Sequence, residues 1–178
     1  MGPCGFALWK RYNRVILVLD ASAIITLARV GCLNLLRELA EKVYIPEAVY
    51  DEVVKSGYGR PGSLEVEQAV WISKQSVHDQ SVVVRLEVEL GRGEAEAIVL
   101  AGELEADFVI LDDATARRIA EAEGRKVLGL LGLLIRAKEL GIVPALRPVL
   151  DQIVGAGFFI DDALYQSILR QAGEEQSS

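Results

Sequence analysis

The sequence has few of the residues on which several kinds of catalytic and structural site depend. It contains one histidine and two cysteines among 178 residues. Because His78 stands alone in a predicted polar loop, a serine–histidine–aspartate triad or a histidine-based zinc site lacks a necessary part. Cys4 and Cys32 are too far apart along the chain to form a metal-ligand pair, and we expect them to be reduced thiols of a cytoplasmic protein.

Long apolar runs are also missing. A helix that crosses a membrane takes roughly 20 apolar residues, and the most apolar segment, 127–135, ends at Arg136. The apolar residues 6–9 are too few for a signal peptide, and Lys10 and Arg11 follow them instead of preceding them. These absences predict a cytoplasmic protein that makes no membrane contact.

Positive charge is in short supply. The chain has 19 lysines and arginines against 26 aspartates and glutamates, a net charge of −7 at pH 7. A protein that coats nucleic acid without specificity relies on basic residues that release counterions from phosphates, so this class is disfavoured. An acidic active site that reaches a phosphate through metal ions is still open, because the cations reverse the local charge.

Aliphatic runs that end in polar residues predict buried strands of a parallel sheet. They alternate with amphipathic helical segments of about ten residues, which is the pattern of β-α-β units. We therefore predict a three-layer α/β/α fold around a parallel sheet of four to five strands, at 15–19, 43–45, 71–72, 108–111 and 127–129.

The chain is expected to form one domain. Its length suits a single domain, and its hydrophobic content of 51% is enough for a large core. Residues 1–143 contain the alternating strands and helices. Residues 144–178 are predicted to be a C-terminal helical extension of the same domain, with helices at 144–154 and 161–171 and a disordered polar end from Glu174.

Two of the predicted strands end in carboxylates, the first in Asp20 and the fourth in Asp112 and Asp113. In an open parallel sheet, ligands bind beyond the carboxyl ends of the strands. Carboxylates brought together there repel each other unless a cation lies between them, and Mg²⁺ prefers such oxygen ligands. For each residue alone, the competing interpretation is a helix N-cap.

Two further acids can join this cluster. Glu94 shares the inward helical stripe of Ala97 and Ile98, although an acid in the first turn of a helix is also favoured by the helix dipole. Glu52 lies in a helix predicted over 47–56. For Glu52 alone, a solvent-facing position is the simpler interpretation.

Two other phosphate-handling classes lack parts. No Gly-x-x-x-x-Gly-Lys-Ser/Thr run is present, which excludes a P-loop protein. A phosphoacceptor receiver domain needs an acidic pair after its first strand and a lysine at the end of its last strand. Here Asp20 stands alone and the last predicted strand runs into Gly129.

The acidic segments occur in an order that resembles the PIN domain, and within it the VapC-like toxin ribonucleases. The similarity covers roughly residues 14–140 and rests on Asp20-Ala21-Ser22, 45–53, 91–97 and 111–117. Each segment is weakly specific, but four in order on the expected elements are a strong signal. The resemblance implies an endoribonuclease that uses Mg²⁺ or Mn²⁺, with the nuclease domain in residues 1–143.

The resemblance also implies site residues. The catalytic acids are Asp20, Glu52, Glu94, Asp112 and Asp113, with metal held by Asp20, Glu94 and Asp113. The sequence does not separate Asp112 from Asp113, although spacing slightly favours Asp113. The metal would generate hydroxide that attacks the phosphodiester, Glu52 would orient or deprotonate the water, and Ser22 would support the site from behind.

Partners are expected as well. Arg117 or Arg118 could contact a flanking phosphate of the RNA substrate, although a solvated position is favoured for both. The resemblance implies a small antitoxin that docks beside the cleft. The apolar residues 158–160 could instead make a homodimer contact, cover the cleft as a lid, or extend the core. The alternative function is a weakly active or inactive PIN-like module that works through protein–protein contacts.

Overall fold

The centre of the computed structural model, which describes residues 15–174, is a parallel sheet of five short strands. The spatial order is β3-β2-β1-β4-β5, and every neighbouring pair is parallel. The strands are β1 (Ile16–Leu19), β2 (Lys42–Pro46), β3 (Ile72–Gln75), β4 (Phe108–Ile110) and β5 (Val127–Leu128). The predicted three-layer α/β/α fold with a central parallel sheet is confirmed.

Helices cover both faces of this sheet. They are α1 (Ala21–Arg29), α2 (Leu35–Leu39), α3 (Glu47–Tyr50), α4 (Ser63–Gln68), α5 (Gln80–Leu86), α6 (Arg92–Glu103), α7 (Ala114–Ala122), α8 (Leu130–Glu139), α9 (Arg147–Gly155) and α10 (Asp162–Gln171). None of the helices in residues 15–174 combines the length and the apolar character of a membrane span.

Side chains of the central strand alternate between two hydrophobic cores, one on each face of the sheet. Leu17 and Leu19 belong to the core that includes α1, α2 and α8, whereas Val18 belongs to the core that includes α5, α6 and α7. All three side chains are fully buried, and each such burial stabilises the fold by roughly 1.5–3 kcal/mol. This burial fixes the register of β1 and therefore the position of the acid that follows it.

The helix predicted over 47–56 is not uniform. It starts as α3 and continues as a π-helical turn over Asp51–Lys55, where the N–H of Ser56 donates to the carbonyl of Asp51 at 2.7 Å. Gly57 packs directly on this turn, and a Cβ at that position would run into the carbonyl oxygen of Val53. The prediction of one uniform helix is therefore wrong here, because π-helical turns are rare and local pattern favours the α-helix.

The C-terminal helices share the core with the rest of the chain. Leu146, Leu150 and Ile153 at α9 and Ile168 and Leu169 on α10 are at most 2% exposed. They lie in the same core as the buried face of α8. Helix α9 begins at Arg147, three residues later than predicted, after a short non-helical connection.

The last described residue corrects a prediction of disorder. The carboxylate of Glu174 accepts the backbone N–H groups of Leu146 and Arg147 at 2.6 and 2.9 Å, and pairs with Lys138 Nζ at 2.9 Å. Burial raises the pKa of Glu174, but these contacts outweigh it and lower the pKa to about 2. Residues 175–178 lie outside the described residues, as do Cys4 and segment 6–9.

Candidate active site

Asp20 lies at the carboxyl end of β1 and begins α1. Its side chain is almost entirely buried, with 3% of the residue exposed. One carboxylate oxygen, Oδ1, accepts the backbone N–H of Ala23 at 2.9 Å. The N-cap interpretation is therefore true of this residue. It does not account for the other oxygen, or for a carboxylate buried this deeply.

The electrostatic surroundings of Asp20 disfavour its negative charge. Burial raises the pKa of Asp20 to about 7, and the N–H of Ala23 opposes the rise. The charges of Asp112, Glu94 and Glu52 raise it further. A buried carboxylate among three others is the arrangement that a divalent cation relieves.

Asp112 follows β4 and faces this cluster. Its Oδ1 accepts the backbone N–H of Leu130, at the start of α8, at 2.9 Å. Its Oδ2 is buried and has no hydrogen-bond partner among the described residues. Burial raises the pKa of Asp112, and the N–H of Leu130 and the charge of Arg117 oppose the rise. A buried acceptor oxygen without a partner is uncommon and points to a ligand.

Asp113 has a different environment. It is exposed, and its Oδ1 accepts the N–H of Ala116 at 2.9 Å as the N-cap of α7. It is not among the groups that raise the pKa of Asp20. The spacing favoured Asp113, but the structure couples Asp112 to Asp20. Asp113 already begins α7 and its carboxylate caps that helix, whereas Asp112 keeps a buried oxygen without a hydrogen-bond partner among residues 15–174.

The two glutamates approach the aspartates from helical segments. Glu94 is partly buried in the first turn of α6, where its Oε2 accepts the N–H of Gly91 at 3.1 Å. Glu52 is exposed on the π-helical turn. Its Oε2 lies beside Gly93, at 3.4 Å from where a Cβ of that residue would be. These two residues and the two aspartates are called the acid cluster below.

Ser22 is exposed in the first turn of α1. Its carbonyl accepts the hydroxyl of Thr26 at 2.8 Å, and within residues 15–174 its own hydroxyl has no hydrogen bond to the acid cluster. The supporting role predicted for Ser22 stays a prediction.

The acid cluster is not arranged as a closed metal cage. In the part of the chain that the structure describes, no three acidic, histidine or cysteine side chains converge closely enough to hold one ion. That Asp20, Glu94 and an aspartate after β4 hold one ion stays a prediction. Like charges repel each other, and each of these carboxylates accepts a backbone N–H at the start of a helix instead.

The chemistry of the cluster nevertheless fits a hard divalent cation. All four side chains offer carboxylate oxygens, which Mg²⁺ and Mn²⁺ prefer. Asp112 has a buried oxygen without a partner, and the charge of Asp20 is destabilised by its neighbours. Because Asp20, Glu94 and Asp112 each use one oxygen for a backbone N–H, their other oxygens are available to a cation.

One buried acid was missed by sequence reasoning. Glu96 is 4% exposed; its Oε1 pairs with Arg92 Nε at 2.9 Å, and its Oε2 accepts the N–H of Ala48 at 3.1 Å. It thereby ties the start of α3, which runs into the π-helical turn that carries Glu52, to α6, which carries Glu94. The i, i+4 spacing of Arg92 and Glu96 was the available signal.

The two arginines of α7 differ in position. The charge of Arg117 acts on Asp112, and the two side chains line the same cavity. Arg118 pairs with Glu89 at 3.0 Å on the exposed surface. The choice left open by the sequence therefore falls on Arg117 as the arginine beside the site.

Fold and site together define the class of protein: an α/β protein with a covered parallel sheet and a carboxylate cluster at the carboxyl ends of its central strands. Residues 16–174 match the family DUF3368, described as a PIN domain. The chain belongs to this PIN-domain family, as the order of the acidic motifs indicated. Proteins with PIN domains are generally nucleases and generally use divalent metal ions.

Among solved structures, the chain is similar to a PilT N-terminus domain protein from the hyperthermophilic archaeon Sulfolobus solfataricus P2. The identity is 21%, over 67% of this chain and 90% of that chain, with a TM-score of 0.47. The comparison with curated proteins finds no match.

Proposed function

We propose that the protein is a cytoplasmic, metal-dependent endoribonuclease whose acid cluster holds Mg²⁺ or Mn²⁺ through Asp20, Asp112 and Glu94. The observation that carries this proposal is the buried Asp20, which lies within electrostatic reach of three other carboxylates and has a pKa of about 7. Asp112 replaces Asp113 in the ligand set because its charge acts on Asp20 and its buried Oδ2 has no hydrogen-bond partner among the described residues.

A divalent cation held there supplies a Lewis acid that stabilises charge on the scissile phosphodiester and activates water for attack. The chain's own residues provide the rest. Glu52 is the most exposed member of the cluster, which suits it to accept a proton from the attacking water. Arg117 lies beside Asp112 and would contact a phosphate of the same RNA strand.

The resemblance of the acidic motifs to VapC-like toxins supports a finer proposal, that the protein is the toxin-like member of a toxin–antitoxin pair. A cavity of about 470 Å³ next to Glu52 is also lined by Glu47, Asp51, Glu96 and Arg92, and Arg92 is paired with Glu96. The excess of acidic side chains around this cavity suits a basic side chain of a small antitoxin. Exposed apolar side chains near the C terminus, such as Val154, support a homodimer contact.

A second candidate function is a PIN-like module that is weakly active or inactive and works through protein contacts. One observation favours it: the carboxylates of the described chain are spread among backbone N–H groups instead of converging on one point. Cleavage separates the two candidates, because only the nuclease requires the acid cluster.

The test is an RNA cleavage assay with and without Mn²⁺, comparing wild type with Asp20→Asn. Asparagine keeps an oxygen for the N–H of Ala23, so the substitution removes charge and preserves the cap. We expect Mn²⁺-dependent cleavage by wild type and a loss of about 100-fold or more in the variant. Equal cleavage by both proteins would contradict the proposal, and no cleavage by wild type would favour the inactive module.

A further inference from the structure

A cavity of about 630 Å³ extends from the acid cluster to the C-terminal helices. It is lined by Asp112 and Arg117 from the candidate site and by Phe158, Phe159 and Leu164 from the C-terminal segment. The volume lies within the range of ligand pockets, roughly 300–1,000 Å³. A molecule held at Asp112 therefore has room to continue along this cavity, which is a direct extension of the candidate active site.

The passage beside Asp112 is kept open by a glycine. A Cβ at Gly129 would lie 3.3 Å from Asp112 Oδ1 and 3.7 Å from Arg117 Nη1. Any side chain at this position would stand between the acid and the guanidinium. Its absence leaves the Asp112 carboxylate and the Arg117 guanidinium facing the same space.

An exposed aromatic ring lines the same cavity. Phe159 is 86% exposed, whereas its neighbours Phe158 and Ile160 are partly buried against the core. The chain is thus anchored on both sides of Phe159, and the ring is presented to solvent at the rim of the cavity. A lone exposed phenylalanine is ordinary, but this one borders a cavity that reaches the acid cluster.

The charges along the cavity suit a nucleotide. Glu139 also lines the cavity, but its carboxylate pairs with Arg136 at 2.7 Å, so part of its charge is compensated. Arg117 offers a cation near the acid cluster, and Phe159 offers a stacking face in the same cavity. Unpaired RNA bases are recognised by stacking on aromatic side chains, while basic residues contact the backbone phosphates.

We propose that this cavity is a binding subsite for an unpaired base of the RNA strand, which stacks on Phe159 while Arg117 contacts the phosphate leading to it. This inference rests on the proposed nuclease function and names its substrate class. The preferred substrate is single-stranded RNA, because bases of a duplex are stacked internally and cannot reach the ring.

The experiment compares wild type, Phe159→Ala and Phe159→Trp on a single-stranded RNA oligonucleotide with one cleavage site. Val88→Ala is the matched control, because Val88 is an exposed apolar residue, 83% accessible, that does not line the cavity. We expect Phe159→Ala to raise KM about tenfold with kcat unchanged, since stacking on one aromatic ring is lost. Phe159→Trp and Val88→Ala should stay within about twofold of wild type.

A modified substrate shows whether the effect comes from a base. Abasic ribose is placed in turn at each position flanking the cleaved bond. At one position it should raise KM for wild type and leave KM of Phe159→Ala unchanged, because the stacked pair is already broken. If Phe159→Ala has the KM of wild type, the subsite is wrong. If it has that KM and is also monomeric where wild type is a dimer, Phe159 belongs to an interface between copies and the proposal is overturned.

Binding measured without cleavage keeps this inference separate from the proposed function. Anisotropy of fluorescein-labelled decauridylate is recorded with Asp20→Asn and with the double variant Asp20→Asn/Phe159→Ala, both in Mn²⁺. Tenfold weaker binding by the double variant supports the subsite, even if wild type cleaves no RNA and the nuclease proposal fails. Equal binding by the two variants overturns the subsite, even if wild type is an active nuclease.

Discussion

Asp20 and Glu174 are both carboxylates that accept backbone N–H groups where a helix begins, yet their ionisation is shifted in opposite directions. The pKa of Asp20 is raised to about 7, and that of Glu174 is lowered to about 2. Asp20 has one N–H donor and three acidic neighbours. Glu174 has two N–H donors and the ammonium group of Lys138.

Glu174 is a carboxylate that stabilises the fold, whereas Asp20 belongs to a candidate binding site. The charge of Glu174 is satisfied within the chain, because its carboxylate binds the backbone N–H groups at the start of α9 and the ammonium group of Lys138. The charge of Asp20 is not satisfied within the chain, because the groups nearest to it have the same sign. A like-charged cluster that the fold maintains is the pattern expected of a binding or catalytic centre.

The largest expected effect concerns the pair after β4. Asp112→Asn should lower kcat for RNA cleavage about 100-fold or more, because it removes a proposed metal ligand. Asp113→Asn keeps the N-cap of α7 and should change kcat by less than about threefold. The two substitutions are chemically identical and lie on adjacent residues. A greater loss of kcat in Asp113→Asn than in Asp112→Asn would mean that Asp113 is the metal ligand, as the spacing in the sequence suggested.

The next prediction concerns stability and Asp20. Because its folded-state pKa is raised, the stability linked to its proton is fully present below the unfolded pKa near 3.8 and is lost as pH rises to about 7. In EDTA at pH 8, Asp20→Asn should therefore increase the free energy of unfolding, by an amount of order 2 kcal/mol. Urea denaturation at pH 5 and pH 8 measures this. A variant less stable than wild type at pH 8 would contradict it.

Glu174→Gln should instead decrease the free energy of unfolding. The folded-state pKa of Glu174 is depressed, so its contribution is present above the unfolded pKa near 4.5 and is lost as pH falls toward about 2. We expect the free energy of unfolding to fall by about 2 kcal/mol at pH 7, and this loss should shrink between pH 5 and pH 3. Urea denaturation measures it. Glu65→Gln, an exposed acid of α4, is the control and should change little. A pH-independent loss would mean that shape and not charge is responsible.

The smallest expected effect concerns Glu96. Glu96→Gln should destabilise the fold by about 1 kcal/mol, because a charge-assisted hydrogen bond to the N–H of Ala48 becomes a neutral one. Arg92 is largely exposed, so its ion pair adds little. Since α3 and α6 would be held less firmly, kcat should fall severalfold while KM stays unchanged. A variant with wild-type kcat would show that Glu96 has no positioning role.

Much of this architecture follows from local sequence. The buried runs before Asp20 and Asp112 predicted the two central strands, and the acids that end those runs predicted the place of the site. The edge strand β3 was predicted only at its start, because Ser73 and Lys74 are exposed and give no buried pattern. Edge strands carry the weakest period-two signal, since neither face is fully covered.

The remaining features depend on contacts that are distant in sequence. The choice between Asp112 and Asp113 is made by the way the chain leaves β4 and by the approach of Asp20 from β1. The order at Glu174 arises from groups 27 to 36 positions earlier in the chain. The π-helical turn that presents Glu52 has a glycine after it at Gly57, where a Cβ would run into the carbonyl oxygen of Val53. None of these can be read from periodicity.

The central claim, that the acid cluster binds a divalent cation, is tested most directly by thermal unfolding at pH 7.5 with and without Mn²⁺. We expect saturating Mn²⁺ to raise the Tm of wild type by roughly 5 °C, and that of Glu174→Gln by the same amount from a lower starting point. The Tm of Asp20→Asn should rise much less. Equal Mn²⁺-dependent shifts in wild type and Asp20→Asn would contradict the account.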